Sequence, residues 1–174
     1  MAQISDPATG GRIRDPAADV ANFEKAPLNE QNIQLPKWPD PEHLIRFDAG
    51  PTQRLDYFVD GASLSVDAAG VVRFTVVAKS ANATNISYEG IRCDTAERKI
   101  YAYGRPDGTW SETKDPSWVK IGNQILEGYR FPLYQDYFCP ARMGIRTAAE
   151  GLYALKHGGH PRALKFDTGI PIPR

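Results

Sequence analysis

Six short β-prone runs, joined by links too short for a crossover, occupy residues 54–114 and restrict what this chain can fold into. The runs read RLDYFVD, ASLSVD, VVRFTVVAKS, NISYEGIRCD, RKIYAYGR and TWSETK, and the later links read AAG, ANAT, TAE and PDG. Gly, Asn, Asp and Pro in such links suit hairpins. A parallel neighbour would need a connection of roughly a dozen residues or more. The pattern predicts an antiparallel meander of about five to six strands. Its clearest turn is Arg105-Pro106-Asp107-Gly108-Thr109, where Pro presets φ and Gly supplies a positive φ. Upstream, LPKWPDPEHLIRF (Leu35 to Phe47) carries three prolines. These exclude a helix interior and leave an extended approach to a first strand near Leu44–Phe47.

Such a sheet needs a cover. Along VVRFTVVAK, Val72, Phe74, Val76 and Ala78 fall on one face and Arg73, Thr75 and Lys79 on the other, the pattern of one covered and one wetter face. Two downstream segments can supply helices. In DPSWVKIGNQILEG, Asp115 can cap, Pro116 suits the first turn, and Gly128 suits the end. Trp118, Ile121 and Ile125 recur there at helical spacing, although WVKI alone also reads as a strand. In TAAEGLYALKHGG, Thr147 and Glu150 suggest a capping box. Ala148, Leu152 and Leu155 then form an apolar stripe ahead of Lys156, His157 and two glycines. Strands followed by helices make an α+β domain: an antiparallel β-meander covered by one or two C-terminal helices. Residues 1–36, rich in Pro, Asp, Asn, Gln and Ala, read as an extended or flexible N-terminal arm. Residues 37–166 form the single domain and 167–174 an extended tail.

Composition narrows the partners. Lys plus Arg is 21 and Asp plus Glu is 21, so no basic excess favours nucleic acid or anionic lipid. No apolar run approaches the roughly 18–20 residues that cross a bilayer. The opening MAQISDPATGG lacks the charged start and apolar centre of a secretory signal. The alternatives are a cytosolic chain or a mature chain whose signal has been removed. The two cysteines, Cys93 and Cys139, have no CxxC spacing, which disfavours zinc and thioredoxin-type chemistry. A disulfide between them is the favoured reading, worth about 4 kcal/mol in the chain-entropy model. Two buried free thiols in a cytosolic protein are the alternative.

Motifs for chemistry are sparse. HGGH (His157 to His160) lacks a third metal ligand in sequence reach, and His43 could join only by folding. Neither cysteine has an evident base beside it. GASLS does not match a nucleophile elbow, and no Gly-rich phosphate loop calls for a cofactor. Glu89, Asp94, Asp136 and Glu150 offer carboxylates, and the sequence brings no two of them together. The aromatic set is richer: Tyr88, Tyr101, Tyr103, Trp110 and Trp118 interleave with Arg92, Arg98 and Arg105. In a regular strand Tyr101, Tyr103 and Arg105 share one face, which suits stacking on a ligand or partner chain. Tyr101, Tyr103, Arg105, Trp110, Glu89 and Arg92 are therefore the candidate ligand- or partner-binding residues. No catalytic, metal or cofactor site is assigned.

ISYEGIRCDT (Ile86 to Thr95) is the difficult stretch. In a regular strand Glu89 shares a face with Ile91 and Cys93, placing a carboxylate in the core. A bulge at Gly90 would shift the phase and send Glu89 and Arg92 outward, and that is the expectation. Regular pairing with Glu89 buried would instead make Glu89 the best catalytic candidate in the chain.

Taken together, DGASLSV, GVVRFTVVAKSANATNISYEGIRC, RKIYAYGRPDGTW and YFCP resemble the family named after a cryptic neisserial protein, over about Leu35 to Leu155. The resemblance implies an exported, often lipoprotein-like bacterial envelope protein, periplasmic or associated with the outer envelope. It offers no catalytic residues to carry over. The expected function is a non-catalytic binding or structural module using the Tyr/Trp/Arg surface of its sheet. Its partner would be an unidentified envelope protein or small ligand, with a membrane tether through a missing N-terminal segment as a further expectation. The alternative is a small envelope hydrolase with a carboxylate or histidine site.

Overall fold

The computed structural model describes residues 26–163; the remainder of the arm, and the tail, lie outside these residues. Seven antiparallel strands form one sheet: β1 (Leu44–Phe47), β2 (Asp56–Val66), β3 (Val71–Lys79), β4 (Thr84–Arg92), β5 (Glu97–Gly104), β6 (Trp110–Glu112) and β7 (Val119–Lys120). The first six follow one another in chain order, and β7 also pairs with β5. The meander is as expected, with one short strand more. RLDYFVD and ASLSVD join as the single strand β2, whose register jumps between Asp60 and Ser65. The β5–β6 hairpin closes as its sequence predicts, with Arg105 N–H donating to Thr109 C=O at 2.8 Å and Gly108 at φ +83°.

The expected helix over Asp115–Gly128 is mostly absent. Val119 and Lys120 pair with Arg98 and Glu97 as β7. Only α1 (Gln124–Glu127) is helical, capped by the Asn123 side chain and ended at Gly128. The β-branched Val119 finds a free strand edge, and Gly122-Asn123 then offers a closer helix start than Asp115-Pro116. The supposed apolar stripe breaks accordingly, for Ile125 is 91 % exposed. An unforeseen element follows: α2 (Arg130–Pro132) widens into a π-helical stretch, Leu133–Phe138. Leu133, Tyr137 and Phe138 from it enter the core. The last helix, α3 (Ala148–Lys156), forms as read, with the Thr147 hydroxyl accepting from Glu150 N–H. The Glu150 carboxylate reaches back to Arg146 N–H at 2.9 Å, one residue before the usual capping-box partner.

These helical pieces cover the inner face of the sheet. Val59, Val72, Phe74, Val76 and Ile91 pack there against Leu133, Tyr137, Phe138 and Leu155. Cys93 and Cys139 form a disulfide that ties the end of β4 to the end of the π-helical stretch. The opposite, outer face is not wet, contrary to the pattern along β3. Arg73 and Thr75 are buried, because arm residues Ile33 and Leu35 pack on that side with Tyr88, Tyr101 and Trp110.

The ISYEGIRCDT stretch also departs from expectation. Gly90 pairs regularly with Arg73 on one side and Lys99 on the other. The extra residue sits on β5 instead: Tyr88 faces Ala102 and Glu89 faces Ile100, leaving Tyr101 unpaired. Gly90 is required for clearance, since a Cβ there would meet the Tyr101 hydroxyl at 2.8 Å and the Trp118 ring at 3.3 Å. With no phase shift in β4, Glu89 points into the core and is 1 % exposed.

Candidate functional site

The outer face is organised around one carboxylate that arrives from the arm. Oε1 of Glu30 accepts from Arg73 Nη2 at 2.9 Å and from the Tyr101 hydroxyl at 2.5 Å. Oε2 accepts from Lys99 Nζ at 2.5 Å and Trp118 Nε1 at 3.2 Å. Arg73 also donates to Asp67 at 2.6 Å and, through Nε, to the Tyr101 oxygen at 3.1 Å. Each Glu30 oxygen thus takes two donors, and three of the four are anchored on β3 and β5, the strands that flank β4. The charge-assisted bonds among these are the strong kind. Burial pushes the Glu30 carboxyl up, but the bonds from Lys99, Tyr101 and Arg73 outweigh it and hold the group below its ordinary range. Burial, reinforced by the bond to Glu30, pushes the Tyr101 phenol far up, so it stays a donor.

Aromatic rings wall this cradle. Lys99 lies over both Tyr101 and Trp118, and Arg92 lies 5.5 Å from the Trp118 centroid. Trp110 donates Nε1–H to Pro36 C=O at 3.0 Å and packs on Trp38. A cavity of about 250 Å³ opens beside Glu30, bounded by Ile33, Leu35, Lys99 and Tyr101.

Of the residues expected on a shared binding surface, Tyr101, Trp110 and Arg92 do lie on the outer face, and Arg92 also pairs with Glu97 at 3.6 Å. Tyr103 and Arg105 do not join them. The unpaired Tyr101 shifts the phase of β5, so Tyr103 sits opposite Ser87 on the inner side, 49 % exposed at the margin. Arg105 stays in the exposed hairpin, contacting Ser111 at 3.3 Å. The open Tyr/Arg row expected from regular alternation is corrected to a largely buried cradle. Sequence reasoning missed Glu30, Arg73 and Lys99. The signal that could have found Arg73 was its place in VVRFTVV, an arginine inside an otherwise apolar strand.

Glu89 lies on the inner face, within a second carboxylate centre, this one fully buried. It takes Arg130 in bidentate fashion at 2.7 and 2.8 Å, Ser87 Oγ at 2.6 Å, and the Tyr129 hydroxyl. Burial and then the Glu89 charge push the Tyr129 phenol well up. Oε1 takes three donors and Oε2 the Arg130 Nε, and with no access to solvent the Glu89 carboxylate has no approach for a substrate proton. Its burial therefore does not make it catalytic. The ion pair holds α2 onto the sheet.

A cleft of about 1020 Å³ lies between the π-helical stretch and residues 157–163, and Glu89 is not in its wall. His160 lines it, but its Nε2 pairs with Glu150 at 2.8 Å and its Nδ1 accepts from Arg162 N–H at 3.0 Å. Arg162 joins the same Glu150 oxygen at 2.6 Å. Burial pushes Glu150 up, and the Arg146 N–H, His160 and Arg162 together hold it below its ordinary range. His157 stacks on Tyr153 and bonds its carbonyl. Among the described residues no group of three or more His, Cys, Asp or Glu could hold a metal ion. None of their helices is long and apolar enough to cross a membrane.

No curated protein and no solved structure matches the chain. A family model described as the CNP1-like family matches residues 23–156, a span that takes in the Glu30 arm, the whole sheet and α3. With well over half of its 174 residues matched, the chain belongs to the CNP1-like family.

Proposed function

We propose that this chain is a non-catalytic binding or structural module of the bacterial cell envelope, periplasmic or outer-envelope associated, which meets its partner through the outer face of its sheet. The observation that carries the reading is the cradle of Arg73, Lys99, Tyr101 and Trp118 closed around a carboxylate. Cations, aromatic rings and polar tips concentrated on one face are the composition of a recognition surface. Trp38 and Trp110 extend that surface to its rim, and Trp38 is exposed. A disulfide fits an oxidising compartment. The hydrolase alternative finds less support, because Glu89 and His160 have their polar atoms committed to structural partners.

The reading is tested by placing a photoreactive side chain at Glu112 or Trp38 of the full chain in bacteria and fractionating the cells after irradiation. A discrete adduct with an envelope component from either rim position, and none from Tyr153 on α3, is the expected result. Equal adducts from all three positions, or none from the rim, would count against it.

A further inference from the structure

The outer-face cradle has the makings of a receptor that holds its own ligand. Four donors converge on the Glu30 carboxylate, and they come from β3, β5 and the segment before β7. Glu30 comes from a segment outside the sheet: the described arm before β1 pairs with no strand. Its hold is made mostly by side chains: the Glu30 carboxylate, Ile33 and Leu35 against Tyr88 and Tyr101, and Trp38 on Trp110. The backbone contributes Ala26 N–H to Ala68 C=O at 3.2 Å and the Pro36 carbonyl to Trp110. Contacts of this kind form and break without disturbing a ladder of strand hydrogen bonds.

The donor geometry favours an anion at the position of the Glu30 carboxylate. Around the cradle, Arg73, Lys99 and Arg92 face Asp67, Glu97 and Glu30. Without Glu30, Lys99 loses the carboxylate it contacts at 2.5 Å while Arg73 keeps Asp67, and Glu112, which lines the adjoining cavity, makes no ion pair with Lys99. A partly buried charge without a counter-ion is unfavourable. The vacated site therefore selects a carboxylate. Lifting the arm also uncovers the apolar surface on which Ile33 and Leu35 pack, formed by Tyr88, Tyr101 and Ala102, and this surface selects for aliphatic side chains next to that carboxylate.

Resting on the outer-face reading above, we propose that Glu30 is a displaceable resident ligand, and that the cradle binds an extended acidic peptide in trans when the arm lifts. The ligand chemistry is the arm's own: one carboxylate side chain followed at three and five residues by aliphatic ones, as in Glu30, Ile33 and Leu35. Intramolecular attachment gives the arm a high effective concentration, so it masks the site until a competitor or a weakened latch shifts the balance.

The test uses the full chain and a fluorescein-labelled peptide of residues 26–38, followed by anisotropy. The Glu30→Gln chain, with its latch weakened and its cradle intact, should bind the peptide at least about tenfold more tightly than the unaltered chain. The same peptide carrying Glu30→Gln should lose that gain. A Leu35→Ala chain, whose arm loses its packing on Tyr88 and Tyr101 while Glu30 and its four donors are unaltered, is run in parallel and should show a smaller gain in the same direction. The proposal is overturned if neither variant chain binds the peptide more tightly than the unaltered chain. It is equally overturned if both peptides bind alike. Rim adducts persisting alongside such a failure would remove the displaceable latch and leave the outer-face reading standing.

Discussion

Two carboxylates, Glu89 buried and Glu30 partly buried, sit on opposite faces of this sheet, and they are held by similar chemistry but by different kinds of chain. Glu89 rises from the middle of β4, and its partner Arg130 comes from α2, whose π-helical continuation is tied to the β4 terminus by the Cys93–Cys139 disulfide. Glu30 comes from an arm that forms no strand, and its partners Arg73 and Lys99 stand on the sheet itself. The inner centre is built into the fold and cannot leave without unfolding. The outer centre is a contact between the fold and a strap. Similar sets of donors therefore make a structural rivet on one face and a candidate recognition site on the other.

The largest difference between the two should appear when each loses a partner. Arg130→Ala leaves Glu89 charged and buried, and should lower unfolding free energy by about 3–5 kcal/mol in urea titrations. A fall of less than about 1 kcal/mol would mean the inner pair is not the rivet described. Glu30→Gln keeps the shape and some of the hydrogen bonds of the outer centre, and should cost only about 1–2 kcal/mol.

The pH dependence of that second loss sharpens the contrast. Glu30 has its folded-state pKa depressed below the ordinary 4.5, so it contributes stability at neutral pH. That contribution is lost as pH falls from the ordinary carboxylate range through the lower folded value. The gap between the unaltered chain and Glu30→Gln should close across this acid window, as read from urea midpoints at a series of pH values. A gap independent of pH would show that the carboxylate charge is not what holds the arm. The smallest effect belongs to Arg105→Ala, in the exposed β5–β6 hairpin, which should move stability by under about 0.5 kcal/mol. A larger change would place that arginine in the outer network after all.

Much of the inner half was legible. The turn residues of the β5–β6 hairpin, the alternation along β3, the cap at Thr147 and the cysteine pair each carry their signal within one element or one residue type. The outer half was not. The donors to Glu30 lie 43 to 88 residues further along the chain, and nothing within the arm encodes which face it will cover. The β5 bulge was invisible for a related reason. Gly90 looked like the irregular point, yet its missing side chain serves the clearance of Tyr101 and Trp118, which are distant in sequence. Misplacing that one residue put Tyr103 and Arg105 on the wrong surface and Glu89 on the wrong face.

By itself, the sequence determined the antiparallel meander, the hairpin turns, the last helix and the feasibility of a disulfide, because each depends on interactions between near neighbours or on a residue type. Only the tertiary structure decided which polar side chains are buried, which strand carries the bulge and what lies over the outer face. Burial is a property of what packs against a residue, and here the covering segments come from the far ends of the chain.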